Sequence, residues 1–330
     1  MNAIKLGCTD AELLSYGIKA GFVLNKATCL LDDEMELDCS ALQQSVSQNP
    51  VLKLMIDYLA GSFMNPRTAL KVIGITDHDY LGFRAAIPKI SDSESPFAIL
   101  FSAGDRGLVI EESKEYVNQV LKELSGFNSD NSVEPIGFTM SPIEVLVILA
   151  ACDAMQQKKQ EETWFSKTSL VNAYDINNIK ENHPACIALA AVAEDAIYHF
   201  YNVEKISEVL DRMVESRLFI KRETESGELY CLSSTYHKLP QLFENSKNKL
   251  AMLRNRFDGK TDIIFVISNE TESWAFSMCD GTGCIERLNE DRQKELLAEQ
   301  EKTLGFCSNC GDPLPKDSIF CPMCGHKIFK

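Results

Sequence analysis

Two stretches 175 residues apart constrain this chain more than any other feature in it. "FSAGDRGLVIEESKEYVNQVLKEL", from Phe101, aligns without a gap on "FSMCDGTGCIERLNEDRQKELLAE", from Phe276. They share Phe, Ser, Asp, Ile, Glu, Glu and Leu at matching places. Each reads as a strand, a Gly/Asp turn, a second strand and a charged helix, because the apolar period changes from about 2 to about 3.6 residues. Each is preceded by another strand-like run, "YLGFRAAI" from Tyr80 and "TDIIFVIS" from Thr261. The pattern predicts two related β-β-β-α units, within residues 1–130 and 250–303, packing as pseudo-symmetric halves of one mixed α/β body. The fold class expected is α+β, multidomain.

Helices precede the first unit. "TDAELLSYGIKAGF" opens with Thr9 and Glu12 at capping-box spacing. "NPVLKLMIDYLAGSF" follows, with Leu52, Met55, Ile56 and Leu59 on one face.

Between the units, residues 139–240 turn mainly helical. "SPIEVLVILAACDAM" starts with Ser141 as cap, Pro142 at the first helical position and Glu144 at the third. Later Ile206, Val209, Leu210, Met213 and Val214 form one helical stripe, and "LFIKRE" and "ELYCLS" make a hairpin around "TESG". This order of helix, strand and β-wing resembles the winged-helix superfamily, which implies a helix for the DNA major groove. The charges speak against that use. Glu204, Glu208, Asp211 and Glu215 oppose Lys205, Arg212 and Arg217, and the wing sets Glu223, Glu225 and Glu228 against Lys221 and Arg222. A phosphate-facing element is biased to Lys and Arg, so protein contact or a spacer role is the reading taken.

A formal charge of −15 points the same way, since nucleic acid and anionic membranes attract basic surfaces. The most apolar run, Ile143 to Cys152, is ten residues long and ends against Asp153. That is about half of the roughly 20 a membrane span needs, so it is read as a buried helix. No signal peptide is visible at the start, and a cytoplasmic location is expected.

Twelve cysteines divide into two groups. Cys8, Cys29, Cys39, Cys152, Cys186, Cys231, Cys279 and Cys284 are scattered and read as small buried hydrophobes. Cys307, Cys310, Cys321 and Cys324 form C-x2-C-G and C-P-x-C-G knuckles with ten residues between the pairs. Two knuckles supply the four sulfurs that a closed tetrahedral zinc site takes. Residues 305–330 resemble the zinc-ribbon family; rubredoxin knuckles lie much further apart. His326 is read as a surface residue beside a complete ligand set. Four thiolates leave no open position for water, so Zn2+ here is structural, and its binding, on the order of 10–16 kcal/mol, folds the mini-domain.

Nothing in the chain calls for catalysis. Phosphate-loop, dinucleotide, nucleophile-elbow and H-E-x-x-H patterns are absent from the sequence. His78 lies between aspartates that a turn also explains, and Asp195 and His199 have ordinary helix-pair spacing. Trp164, Trp274 and "YHFYNV" read as core, and the acidic run Asp32–Asp38 as a solvated loop.

The expectation is a non-catalytic cytoplasmic adaptor or chaperone that binds another protein, of identity not legible here, and no membrane. The paired halves are similar in architecture to the type VII secretion chaperone family, which implies a secretion-related role. No residue motif carries that likeness, and an inserted winged helix and a zinc ribbon are not features of that family. The alternative is a nucleic-acid-binding regulator using winged helix and ribbon as readers, an analogy at fold level.

Overall fold

The computed structural model describes residues 6–22, 24, 28, 38–76, 80–88, 97–103, 106–112, 114–127, 136–156, 164–175, 184–201, 203–233, 238–256 and 259–297. The first half of the chain contains β1 (Leu6–Cys8), α1 (Asp10–Lys19), α2 (Ser40–Ser47), α3 (Pro50–Met64), β2 (Pro66–Ile75), β3 (Tyr80–Pro88), β4 (Phe97–Ala103), β5 (Arg106–Glu112) and α4 (Lys114–Ser125). The second half begins with β6 (Ile136–Met140) and α5 (Pro142–Gln156). It continues through β7 (Phe165–Ser166), α6 (Lys167–Asn172), α7 (Pro184–Phe200), α8 (Val203–Glu215), β8 (Phe219–Thr224) and β9 (Gly227–Leu232). It closes with α9 (Lys238–Asn245), β10 (Asn248–Arg256), β11 (Thr261–Ser268), β12 (Ser273–Cys279), β13 (Thr282–Leu288) and α10 (Glu290–Leu297).

The large sheet runs β1-β5-β4-β3-β2-β10-β11-β12-β13-β6, with every neighbour antiparallel. Outward from the β2–β10 seam, both halves lay down four consecutive strands. Each half is then closed at the edge by the strand that opened it. The α+β architecture is the one expected, and each unit carries a further strand ahead of the three read from the sequence. At the seam Val72 faces Met252 and Ile73 faces Ala251. Each of these pairs shares one face of the sheet: Val72 and Met252 lie in one core, Ala251 and Ile73 at the other.

Further out, Phe83 faces Phe101 and Phe265 faces Phe276, but Phe83 belongs to the core with Val72, and Phe265 and Phe276 to the core with Ala251. On the fourth strands Phe101 faces Leu108 and Phe276 faces Ile285. The gapless alignment at 175 therefore sets Phe101, whose strand partner Phe83 lies on one face, against Phe276 on the other, and a two-fold arrangement of the halves does not superpose them. A shift of one residue moves a strand's side chains to the opposite face.

Both faces of the sheet are covered, and β11 shows why its sequence is an unbroken apolar run. Ile263, Phe265 and Ile267 point into one core, Ile264 and Val266 into the other. Strands buried on both faces lose the polar alternation of a half-solvated strand. On the first face Phe243 of α9 meets Phe265 and Phe276, with ring centroids 6.0 and 5.9 Å apart. Burying such a side chain stabilises by about 1.5–3 kcal/mol. On the opposite face α4 crosses the seam so closely that a Cβ on Gly74 would lie 2.6 Å from Leu124.

Residues 139–240 begin in the large sheet and leave it. β6 pairs with β13, and α5 lies on β12 and β13. Outside α5 sit α6, α8 and a three-stranded sheet of order β7-β9-β8. The predicted α8 stripe is confirmed: Ile206, Val209, Leu210 and Met213 are buried. α3 is rotated relative to expectation. Ile56, Leu59, Ala60 and Phe63 face inward, while Leu52 and Met55 are only half-buried.

Candidate functional site

Cysteine chemistry is the first candidate. Cys8, Cys39, Cys152, Cys186 and Cys231 are buried, and Cys279 and Cys284 are half-buried. Burial, with Glu12 nearby, pushes the Cys8 thiol up to about 12. Burial and then a hydrogen bond with Asp262 push Cys279 up to about 11. Burial also raises Cys152, Cys186 and Cys284. A thiol held protonated is neither nucleophile nor metal ligand; Cys8, Cys152 and Cys186 are core residues, as their apolar surroundings predicted, whereas Cys279 and Cys284 are only half-buried. Among the described residues no group of His, Cys, Asp or Glu is arranged to hold a metal ion.

A polar knot lies inside the second half. Asp153 on α5 is fully buried, and its Oδ2 accepts the backbone N–H groups of Ala185 and Cys186 at 2.9 and 3.0 Å. These are orphan donors of the first turn of α7, which opens with Pro184. Tyr174 donates its hydroxyl to the Leu146 carbonyl at 2.9 Å, and Tyr201 donates to the Leu170 carbonyl at 2.6 Å. Their rings meet edge to face with centroids 4.6 Å apart. Burial raises both phenols, so they stay neutral donors. Chemically the knot fastens α5, α6 and α7 together. Sequence reasoning missed it, because a helix cap supplied 32 positions upstream leaves no local signal.

The β8–β9 hairpin is where a nucleic-acid reader would need free cations. Lys221 pairs with Glu228, which raises the lysine and lowers the carboxylate. Arg222 lies over the Trp164 ring, 4.6 Å from its centroid. Both cations of the hairpin are engaged within the fold.

Among the clefts formed by described residues, two are wide. One, of about 380 Å³, lies at the C-terminal end of α4 against the start of β10, with Lys122, Glu123, Lys247 and Glu270 on its walls. The other, of about 390 Å³, lies among α1, α2 and α3 and holds Tyr16, Lys53 and Asp57. Tyr16 donates to Asp57 at 2.6 Å and Lys53 reaches it at 2.7 Å, which together hold the Asp57 carboxyl below its usual range. Neither cleft is lined by cysteine or histidine.

His78, His183, His237, His326, Cys29 and the run 32–37 lie outside the described residues, as do the side chains of Asp195 and His199. So do Cys307, Cys310, Cys321 and Cys324. A donor set of four sulfurs in two C-x2-C knuckles fits tetrahedral zinc and suits neither magnesium nor calcium, which take oxygen. No helix among the described residues is long and apolar enough to cross a membrane.

Comparison with known proteins gives two findings. The family of zinc-ribbon domains matches residues 306–328, a span that contains all four tail cysteines. Among solved structures, the chain is similar to one in a complex of the Mycobacterium tuberculosis type VII secretion system chaperone EspG5 with the PE25-PPE41 dimer. That likeness has 8% identity and a TM-score of 0.40, covering 90% of this chain and 93% of the other. No curated protein matches.

Proposed function

We propose that this chain is a non-catalytic adaptor or chaperone that binds another protein, with Cys307, Cys310, Cys321 and Cys324 holding one structural zinc ion. The observation that carries the reading is the zinc-ribbon match over residues 306–328. When bound to four thiolates, zinc has no vacant position for water or substrate and supplies folding energy to its mini-domain. A closed ribbon beside a large α+β body serves contact. The engaged cations of the β8–β9 hairpin and the net charge of −15 favour a protein partner over nucleic acid.

The test uses the purified full chain. Metal analysis is expected to give one zinc per chain, and X-ray absorption four sulfur neighbours. The double variant Cys310→Ser/Cys324→Ser should lose the ion and leave the urea unfolding of the sheet body unchanged. A nitrogen or oxygen neighbour on the zinc would overturn the closed site. Salt-sensitive retention of DNA fragments in a gel would move the reading to the nucleic-acid regulator.

A further inference from the structure

The two helices that lead into the seam strands are counterparts. α3 runs into β2 and packs on α1; α9 runs into β10 and packs on α5. Both bury an apolar face, Ile56, Leu59, Ala60 and Phe63 in the first and Leu239, Leu242 and Phe243 in the second. Their outer faces differ. On α9 the exposed positions are Gln241, Glu244 and Asn245, an ordinary solvent face. On α3 they include Val51, Leu54 and Tyr58, which are 66%, 71% and 38% exposed, with Met55 half-buried beside them. These four fall at i, i+3, i+4 and i+7, one uncharged stripe along two turns. Phe22 extends it at the C-terminal end, where a Cβ on Gly61 would lie 3.3 Å from the Phe22 ring. A helix apolar all round belongs in an interior, and α3 has one side in water.

We infer that the Val51–Leu54–Met55–Tyr58 face of α3 is a docking site for one amphipathic helix of a partner protein. This rests on the protein-binding reading above and gives it a location. Size selects the occupant. The stripe from residue 51 to 58 is roughly 10 Å long at about 1.5 Å per residue. A stable pair of identical chains buries about 800 Å² on each side, far more than two helical turns offer. A single helix anchored through i, i+3, i+4 and i+7 positions matches that length. Charge selects its contact residues. On the flank of α3, Lys53 and Asp57 neutralise each other at 2.7 Å, and Asp57 also takes the Tyr16 hydroxyl. Lys19 of α1 lines the same cleft and leaves that flank a cation for an acidic residue at the docked helix's edge, while the stripe itself carries no charge. A charged residue laid against it would lose hydration with nothing returned, so the helix presents uncharged apolar side chains.

The experiment places a photo-crosslinking amino acid at Leu54, Gln241, Tyr80 or Ile220 of the full chain in its native cells, with adducts mapped to the residue by mass spectrometry. The expected result is an adduct at Leu54 on the apolar side of a helix in a different protein, with none at Gln241. Val51→Glu should reduce its yield roughly tenfold or more. An acidic residue suits the first turn of a helix, so the melting midpoint of that variant should hold. An undiminished yield in Val51→Glu would overturn the site. Adducts to another protein at Tyr80 or Ile220, with Leu54 silent, would remove the α3 site and leave the adaptor reading standing. No protein adduct at any position would remove both. An adduct from Leu54 to this same sequence would overturn the partner helix, in favour of a second copy at doubled mass or of the chain's own tail at single mass.

Discussion

α1 and α5 open their halves in the same way, yet they end in different surroundings. Each follows an edge strand after one residue, and that residue is the hydroxyl cap: Thr9 after β1, Ser141 after β6. Each carries a glutamate three positions on, whose carboxylate accepts the cap's backbone N–H at 2.8 Å. α1 then runs ten residues and leaves Ile18, Lys19 and Ala20 exposed at its end. α5 runs fifteen, and every side chain from Val145 to Cys152 is sealed from solvent. The second half holds α6, α7, α8 and the small sheet between its capped helix and α9, and these cover the side of α5 that would otherwise face water. The same starting signal thus yields a surface helix or a core helix according to what the chain inserts behind it.

The strongest way to break this comparison is at the knot that fastens the inserted elements to α5. Asp153→Ala would leave the N–H groups of Ala185 and Cys186 buried without an acceptor. Each such group costs about 1–3 kcal/mol, so the variant should lose roughly 3 kcal/mol or more in urea unfolding. Asp153→Asn keeps one acceptor oxygen and should lose less. A loss below about 1 kcal/mol in the alanine variant would mean that α7 does not depend on α5 for its cap.

Much of this arrangement was open to sequence reasoning, and the failures have a common cause. The two caps, the strand-turn-strand runs, the α8 stripe and the metal knuckles are local patterns, set by neighbours within a few residues. β2 and β10 went unread because their partners are each other, across about 180 positions. β10 also buries Lys249 and Arg254 in a central strand, where charged residues are rare. Arg254 is accommodated by the Leu296 carbonyl at 2.6 Å and by Asp262 at 3.8 Å, both supplied from other elements. The rotation of α3 has the same origin. Its sequence is apolar on all sides but the Lys53–Asp57 flank, so only the sheet beneath it decides which apolar residues turn inward. Of the candidate site, the zinc-ribbon match falls on the knuckles read from spacing, while the apolar face of α3 needed its counterpart α9 for contrast.

A finer probe asks how tightly each half holds the helix above its sheet. A Cβ added at Gly74 meets Leu124 at 2.6 Å, the far end of a flexible side chain on α4. One added at Gly283 meets Val145 at 2.6 Å and the Ser141 carbonyl at 2.9 Å, a stiff β-branched residue and backbone. Gly283→Ala should therefore cost about 2–3 kcal/mol and Gly74→Ala less than about 1 kcal/mol, because overpacking is paid in displaced neighbours. Equal costs would show that α5 can yield as readily as the tip of Leu124, and that the sealed half is no tighter than the open one.

The smallest difference lies in the caps themselves. Thr9 makes both bonds of a capping box: its Oγ1 accepts the Glu12 N–H at 3.1 Å while Glu12 accepts the Thr9 N–H. Ser141 instead donates its hydroxyl to the same Glu144 carboxylate at 2.7 Å that receives its backbone N–H. Alanine at Thr9 leaves a helix N–H without its acceptor and should cost about 1 kcal/mol. Alanine at Ser141 removes only a second donor from a carboxylate that keeps the first, a loss of about 0.5 kcal/mol. Hydrogen exchange at the first turns of α1 and α5 would register both, with faster exchange at Glu12 in Thr9→Ala and little change at Glu144 in Ser141→Ala. The reverse order would mean that the buried helix relies on its cap more than the exposed one does, and that burial by the inserted elements is not what holds α5 in place.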